Sequence, residues 1–492
     1  MTRCDSTARA LATICLGAVV VMGLSGCATN PATGKRQVML ISEAQEIAMG
    51  KQADPQIRAS MGVYDDPELQ EYVDRLGQEL AARSERAHLE WHFSVLDDPL
   101  VNAFALPGGY IYITRGILAH FNSEAELAAV LGHEIGHVVA RHSANQMSKQ
   151  QLAGIGLAVG SIALDPRNET GLGDLAGAGL QLAFLKFGRD DERQADSLGL
   201  RYIDRAGYDP RPMTNVFQTL GRVSAAAGAP RGPNWFSTHP APENRVQLLS
   251  AAIAGIGTDF DGRPVRRNEY LNRLAGMPFG ENPREGFFED NVFYHPDLAF
   301  QLTFPAGWKT QNSRSSVAAV SPQQDAVMVM TLEEAVSLES AEQRFFTDTK
   351  AQRGRRFDTG IRGLQSLGSF FQLDLQSQQQ SRRIVGRVSF IDHQERIYRL
   401  LTYSPDDRFR EYDRSLGAAV GSFRRLRDRK KLDVQPAELK LVRLDRAMSL
   451  REFNDRYPSS IGLEQLAVIN GAAEDTRFEK GTYLKRVVGG RP

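Results

Sequence analysis

Apolar positions recur at helical spacing through the first part of this chain and at alternating spacing further on. Leu127, Val130, Leu131, Ile135 and Val138 mark one face of a half-buried helix. Ser123-Glu124-Ala125-Glu126 ahead of them has the Ser-x-x-Glu form of a capping box, so the helix is expected to start near Glu124. Ser42-Glu43-Ala44-Gln45 predicts a second helix start, and Asp66-Pro67-Glu68 a third, with that helix reaching about Ser84. Leu198, Leu200 and Ile203, following the charged run 189–196, predict another helix that Gly207 closes. Residues 91–96 and 110–114 read as strands, and Pro107-Gly108-Gly109 is a tight turn into the second. Helices with a small sheet therefore fill residues 37–275.

Residues 276–290, rich in Pro, Gly and Glu, predict a linker. From 291 to 426 strands are expected at 298–304, 326–332, 371–375, 384–390 and 397–403, with helices at 337–353 and 406–423, which makes a separate α+β accessory domain. Its Tyr294–Trp308 region, ending in Phe304-Pro305-Ala306-Gly307-Trp308, faintly resembles the PsbP/Mog1-like sandwich, and the domain carries no catalytic constellation, so a binding or packing module is the default. Residues 427–438 read as a basic linker before a small module at 439–492. Six of the eight residues from Arg424 to Lys431 are basic, a solvated stretch or a contact with anionic lipid or cell-wall polymer. The apolar run 152–164 is too short for a bilayer span, and Asp165-Pro166 breaks it, so 152–187 reads as a helical hairpin beside the helix that begins at 124. A lid or membrane-facing role is the alternative.

His133-Glu134-Ile135-Gly136-His137 changes the picture most. On a helix the two histidines project from one face and can share one Zn²⁺, with Glu134 placed to take a proton from water that the metal acidifies. A buried helix with two satisfied histidines is the bland alternative. A catalytic zinc needs one more protein ligand and keeps a position open. The metzincin pattern fails, because Ala140 and Ser143 stand where Gly and His are required. Glu192 and Asp196, four residues apart on a later helix, can serve as third ligand and as the group that orients a ligand histidine.

Asn102-Ala103-Phe104-Ala105-Leu106-Pro107-Gly108-Gly109-Tyr110-Ile111-Tyr112, the His-Glu-Ile-Gly-His helix with Ala140-Arg141-His142-Ser143, and Glu192 to Asp196 together resemble the HtpX-type and CAAX-prenyl-protease-type zinc metallopeptidases. Within them the likeness is to the soluble periplasmic, BepA-like lipoprotein branch, over about residues 35–255. The resemblance implies a gluzincin domain with His133, His137 and Glu192 as ligands of one Zn²⁺, Glu134 as general base and Asp196 behind a ligand. Phe236-Ser237-Thr238-His239-Pro240 resembles a further motif of the family, which implies that His239 either stabilises the oxyanion or fills the open metal position at rest. Arg245 is an oxyanion group or an ordinary ion-pair partner. His142 lies off the ligand face and is expected to make a structural hydrogen bond. Asn102 and Ala103 start a strand whose edge can bind a substrate peptide by main-chain hydrogen bonds.

Arg3 and Arg9 precede an apolar run, and Leu24-Ser25-Gly26-Cys27 matches a bacterial lipobox. This resemblance implies a signal peptide at 1–26, a lipidated Cys27 and a tether at 27–36, on the periplasmic side of a membrane; Ala28 suggests the outer one. Cys4 and Cys15 would be lost with the signal peptide, leaving no disulfide. The C-terminal pattern, Ser449-Leu450-Arg451-Glu452-Phe453, residues 463–471 and residues 480–485, resembles a degenerate βααβ LysM-like module. That implies peptidoglycan as a partner, with Arg446-Ala447-Met448-Ser449-Leu450 standing where a Gly-Asp-Thr-Leu opening is usual.

The 59 basic and 59 acidic residues balance, which excludes a polyanion-driven role such as nucleic-acid binding. The expectation is a multi-domain α+β zinc endopeptidase acting on misfolded or misassembled envelope proteins. A chaperone or assembly scaffold with a latent site, and a cell-wall-binding lipoprotein, are the rivals.

Overall fold

The computed structural model describes residues 27–152, 185–226, 235–240, 244–376 and 381–490. The leader expected at 1–26 and nearly all of the hairpin expected at 152–187 lie outside the described residues. Among the described residues no helix is long and apolar enough to cross a membrane.

A hairpin of β1 (Cys27–Thr29) and β2 (Arg36–Val38) opens the described chain. Helix α1 (Glu43–Met61) starts at the reciprocal Ser42–Gln45 cap, and α2 (Pro67–Ala81) at Asp66, whose side chain accepts from the Leu69 N–H. Strands β3 (His92–Leu96), β4 (Ala103–Leu106) and β5 (Tyr110–Thr114) form a sheet in the order β3-β5-β4, which leaves β4 on an outer edge. Gly108 and Gly109 take positive φ in the turn between β4 and β5, and a Cβ on Gly108 would meet the Ile47 Cα at 2.6 Å.

Helix α3 (Glu124–Val139) is buried at every position, not on one face. The sheet, α2, α5 (Arg189–Arg205), α6 (Pro212–Ala226) and α9 (Arg267–Arg273) surround it, as suits a helix apolar all round. The Ser123 hydroxyl accepts from the Glu126 N–H, but the Glu126 carboxylate reaches past Ser123 to the Asn122 N–H at 2.7 Å, so the box is not reciprocal. Helices α4 (His142–Leu152), α7 (Trp235–Thr238) and α8 (Arg245–Gly255) complete this body.

The stretch read as a linker, 276–290, carries structure. β6 (Pro278–Phe279) pairs with β18 (Ala437–Arg443), and β7 (Phe287–Glu289) pairs with β8 (Val292–His295). The accessory domain thus leaves and re-enters the body through adjacent strands. Its seven-stranded antiparallel sheet runs β10 (Lys309–Asn312), β11 (Ser316–Val320), β12 (Val327–Glu333), β16 (Arg396–Pro405), β15 (Ser381–His393), β14 (Ser366–Gln376), β13 (Gln352–Phe357). Along β16, Ile397, Leu401 and Tyr403 join one core with α10 (Leu338–Thr349), while Tyr398 and Leu400 join a second. That second core is closed by α11 (Phe409–Gly421) and by a small sheet, β17 (Arg424–Arg425), β9 (Phe300–Thr303), β8 and β7. Strand β13 begins inside the helix expected to reach 353, because Lys350 ends α10 in the left-handed region.

The C-terminal segment follows the βααβ order: β18, α12 (Leu450–Arg456), α13 (Leu463–Ile469) and β19 (Tyr483–Gly489), with β18 and β19 antiparallel. Leu439, Leu450, Phe453, Ile469 and Leu484 belong to the same core as α2, α3 and α5. Lys485 is fully buried, and its ammonium donates to the Ala119 and Phe121 carbonyls at 2.8 and 2.7 Å. Arg267 bridges the Asn122 and Tyr483 carbonyls, and Arg222 donates to the Ala472 carbonyl.

Candidate metal centre

Helices α3 and α5 touch at glycines. A Cβ on Gly136 would stand 2.9 Å from the Ala195 oxygen, and one on Gly199 2.9 Å from the His133 nitrogen. This close approach sets Glu192, in the first turn of α5, against the histidine face of α3. His239 arrives from the end of α7, its N–H held by the Trp235 carbonyl at 2.8 Å.

His133, His137, Glu192 and His239 are all buried, with one ligand atom from each lying within 4.8 Å of the others. The two Nε2 atoms of His133 and His137 are 3.0 Å apart, and His239 Nδ1 lies 3.4 Å from His133 Nε2 and 3.1 Å from Glu192 Oε1. Glu192 oxygens stand 3.5 Å from each Nε2 of the His-Glu-Ile-Gly-His pair. A tetrahedron with Zn–N bonds of about 2.0–2.1 Å has edges of about 3.3 Å, so this spacing fits one zinc ion. Neither Glu134 oxygen has a hydrogen-bond partner, and the nearer one lies 3.6 Å from His239 Nε2. A nitrogen- and carboxylate-rich donor set around buried, unsatisfied oxygens suits a borderline cation.

The surroundings hold the set in place. Asp196 Oδ1 meets His133 Nδ1 at 2.9 Å, which leaves Nε2 toward the cluster. Arg245 binds Asp196 through two nitrogens at 2.6 and 2.8 Å, approaches Glu192 at 3.3 Å and lies 3.8 Å over the Phe217 ring. Arg245 is therefore in an ion pair, which was one of the two readings of its sequence position. Burial opposes the charge on Asp196, but Arg245 and His133 outweigh it and hold the carboxyl below its usual range. Burial likewise acts on Glu192, and His239, His133 and His137 outweigh it and take its carboxyl well below the ordinary value. Glu134, whose dominant influence is burial, is pushed up.

His142 lies off the ligand face yet contacts a ligand: its Nδ1 meets His137 Nδ1 at 2.9 Å, and its Nε2 meets Gln194 at 3.0 Å. Asn102 and Ala103 are buried where β4 begins, and both amide atoms of Asn102 lack a partner. The preceding carbonyl, of Val101, accepts from the Trp235 N–H at 3.1 Å, so α7 sits against this edge. Sequence reasoning missed three aromatic walls. Trp235 stacks on His239 at 4.2 Å, Phe187 on His137 at 4.1 Å, and Phe217 supports Arg245. Trp235 stands four residues before His239, a helical spacing that could have revealed it.

Residues 67–253 match the peptidase family M48 model. The beta-barrel assembly-enhancing protease of Yersinia pestis is 35% identical over 223 residues, 44% of this chain and 45% of its own length. The mitochondrial metalloendopeptidase OMA1 of Arabidopsis thaliana is 36% identical over 192 residues, 39% of this chain and 37% of its own. The chain thus spans about half or less of the length of these curated relatives. Among solved structures, the Ran-binding protein Mog1p of Saccharomyces cerevisiae aligns with 27% of this chain and 93% of its own at 13% identity and TM-score 0.21, a likeness too low to carry an argument.

Proposed function

We propose that this chain, whose residues 67–253 match the peptidase family M48 model, is a zinc-dependent endopeptidase that cleaves misfolded or misassembled cell-envelope proteins. The observation that carries the reading is the buried quartet of His133, His137, Glu192 and His239 beside the unpartnered Glu134 carboxylate. One Zn²⁺ per chain, when bound, supplies Lewis acidity that polarises a scissile carbonyl and brings the pKa of water to about 7. Glu134 accepts the proton as water attacks and passes it to the leaving amine. Asp196, fixed by Arg245, keeps His133 in the tautomer and orientation that point Nε2 at the metal.

His239 has two states in this reading. With Nδ1 inside the quartet it fills the fourth position and the enzyme rests. Swung out with α7, it opens that position and frees the edge of β4 at Val101, so that Asn102 and Ala103 bind the substrate main chain. His239 then supports the oxyanion. The protease of Yersinia pestis, named for β-barrel assembly, supports an envelope substrate. Lipidation at Cys27, a periplasmic position at the outer membrane and peptidoglycan contact through the C-terminal module remain part of the same proposal. His239 Nδ1 inside the quartet, where it would occupy a zinc's open position, also favours a second reading, a latent protease serving mainly as an assembly scaffold.

Zinc content and casein cleavage of residues 28–492, beside a Glu134→Gln variant, test this. One zinc per chain with cleavage that vanishes in the variant is expected. Zinc without cleavage, persisting in His239→Ala, leaves the scaffold reading, and a chain that binds no zinc ends both.

A further inference from the structure

Between the accessory domain and the C-terminal module, β17 and the turn after it expose Arg424, Arg425, Arg427, Arg429 and Lys430 within seven residues. Among the described residues none of the five is in an ion pair. The neutral Gln301 amide oxygen is the partner of Arg424. The acids nearest in the chain leave a surplus. Asp428 is engaged with the Lys430 backbone N–H, Asp433 lies beyond the turn, and Glu289 is paired with Lys431. β17 is an outer strand of its sheet, and among the described residues no strand pairs with its other side.

Seven residues span at most about 25 Å, so the fields of these charges overlap at a Debye length of about 8 Å. The chain as a whole is neutral, with 59 charges of each sign, and has no net long-range attraction for a soluble polyanion. A patch of this kind acts at contact range, against an extended surface of fixed negative charge. We propose that Arg424, Arg425, Arg427, Arg429 and Lys430 form a docking surface for an anionic phospholipid bilayer. It would seat the body on the membrane face and is independent of the peptidase reading. The lipobox pattern at Cys27, by holding the chain near such a surface, favours a bilayer over a soluble polymer. A basic patch adds electrostatic attraction for anionic lipid to the hydrophobic hold of a lipid anchor.

The test is co-sedimentation of residues 28–492, which keep every described element except Cys27, with vesicles of phosphatidylcholine alone or with 30% phosphatidylglycerol. Binding is expected only to the anionic vesicles, falling as NaCl rises from 0.05 to 0.5 M, and weakening about fivefold for each cation neutralised. A variant with all five changed to Gln should stay in the supernatant with an unchanged thermal midpoint, and the matching variant with the four arginines changed to Lys should sediment as the parent does. Equal binding to neutral vesicles, undiminished binding of the Gln variant, or tighter capture by long-chain polyphosphate at matched phosphate each overturns the proposal.

Discussion

The accessory domain and the C-terminal module follow one another in the chain, yet they join the body that carries the candidate metal centre by different physics. Residues 437–490 contribute apolar side chains to the core that holds α3, and their one fully buried lysine satisfies carbonyls just ahead of that helix. Residues 287–425 keep two cores of their own and reach the body through half-exposed charges, with Arg314 between Asp97 and Glu285 at 3.2 and 2.9 Å. Buried contacts are unscreened and cooperative, whereas exposed ion pairs are screened and individually weak. The later segment is therefore part of the body that holds α3, and the earlier one is an insertion between the paired strands β6 and β18.

Deletion gives the largest contrast. Removing residues 437–490 strips the core, and the remaining chain should lose cooperative unfolding and stoichiometric zinc. Replacing 282–434 by a short Gly-Ser linker should leave both, because β6 and β18 already lie side by side. Calorimetry and zinc analysis of the two proteins check this; equal damage from both would erase the distinction.

Point substitutions sharpen it. Lys485→Met leaves the buried Ala119 and Phe121 carbonyls without their donor and is expected to cost about 3 kcal/mol in urea unfolding. Arg314→Ala, at a screened surface pair, should cost less than about 1 kcal/mol in the same measurement. A reversed order would show that the accessory domain is the one welded to the body.

A pH series gives a further contrast. Burial draws His295, in β8 of the accessory domain, down to about 4, and its Nδ1 accepts from the Leu298 N–H. A depressed folded-state pKa means the unfolded chain binds the proton first, so this stability is complete above about pH 6.5 and is lost as pH falls toward 4. The accessory domain should lose at most about 2 kcal/mol between pH 7.5 and 5, and His295→Gln should flatten the loss. Urea midpoints at the two pH values read it directly.

Much of the metal centre was legible in local spacing. His133 and His137 share a helix face at i and i+4, as do Glu192 and Asp196, and each pair stays together in the fold. The strands at 384–390 and 397–403 showed because both faces of that sheet are buried in apolar cores. Strands β10 and β13 did not, since Lys309–Asn312 and Gln352–Phe357 are polar edge strands whose formation depends on their neighbours. The linker expected at 276–290 failed for the same reason: β6 is two residues long and exists only because β18 pairs with it.

The sequence by itself determined which side chains share a helix face, where helices begin, and that two imidazoles and a carboxylate could meet one metal. Helical and strand periods are local, and a few residues suffice to set them. Tertiary structure alone decided that α3 and α5 meet at Gly136 and Gly199, that His239 meets Glu192 in the quartet, and that Lys485 closes the core from the far end of the chain. Those contacts join residues tens to hundreds of positions apart. Their partners are chosen by close packing and by the need to satisfy buried polar groups, which no local pattern encodes.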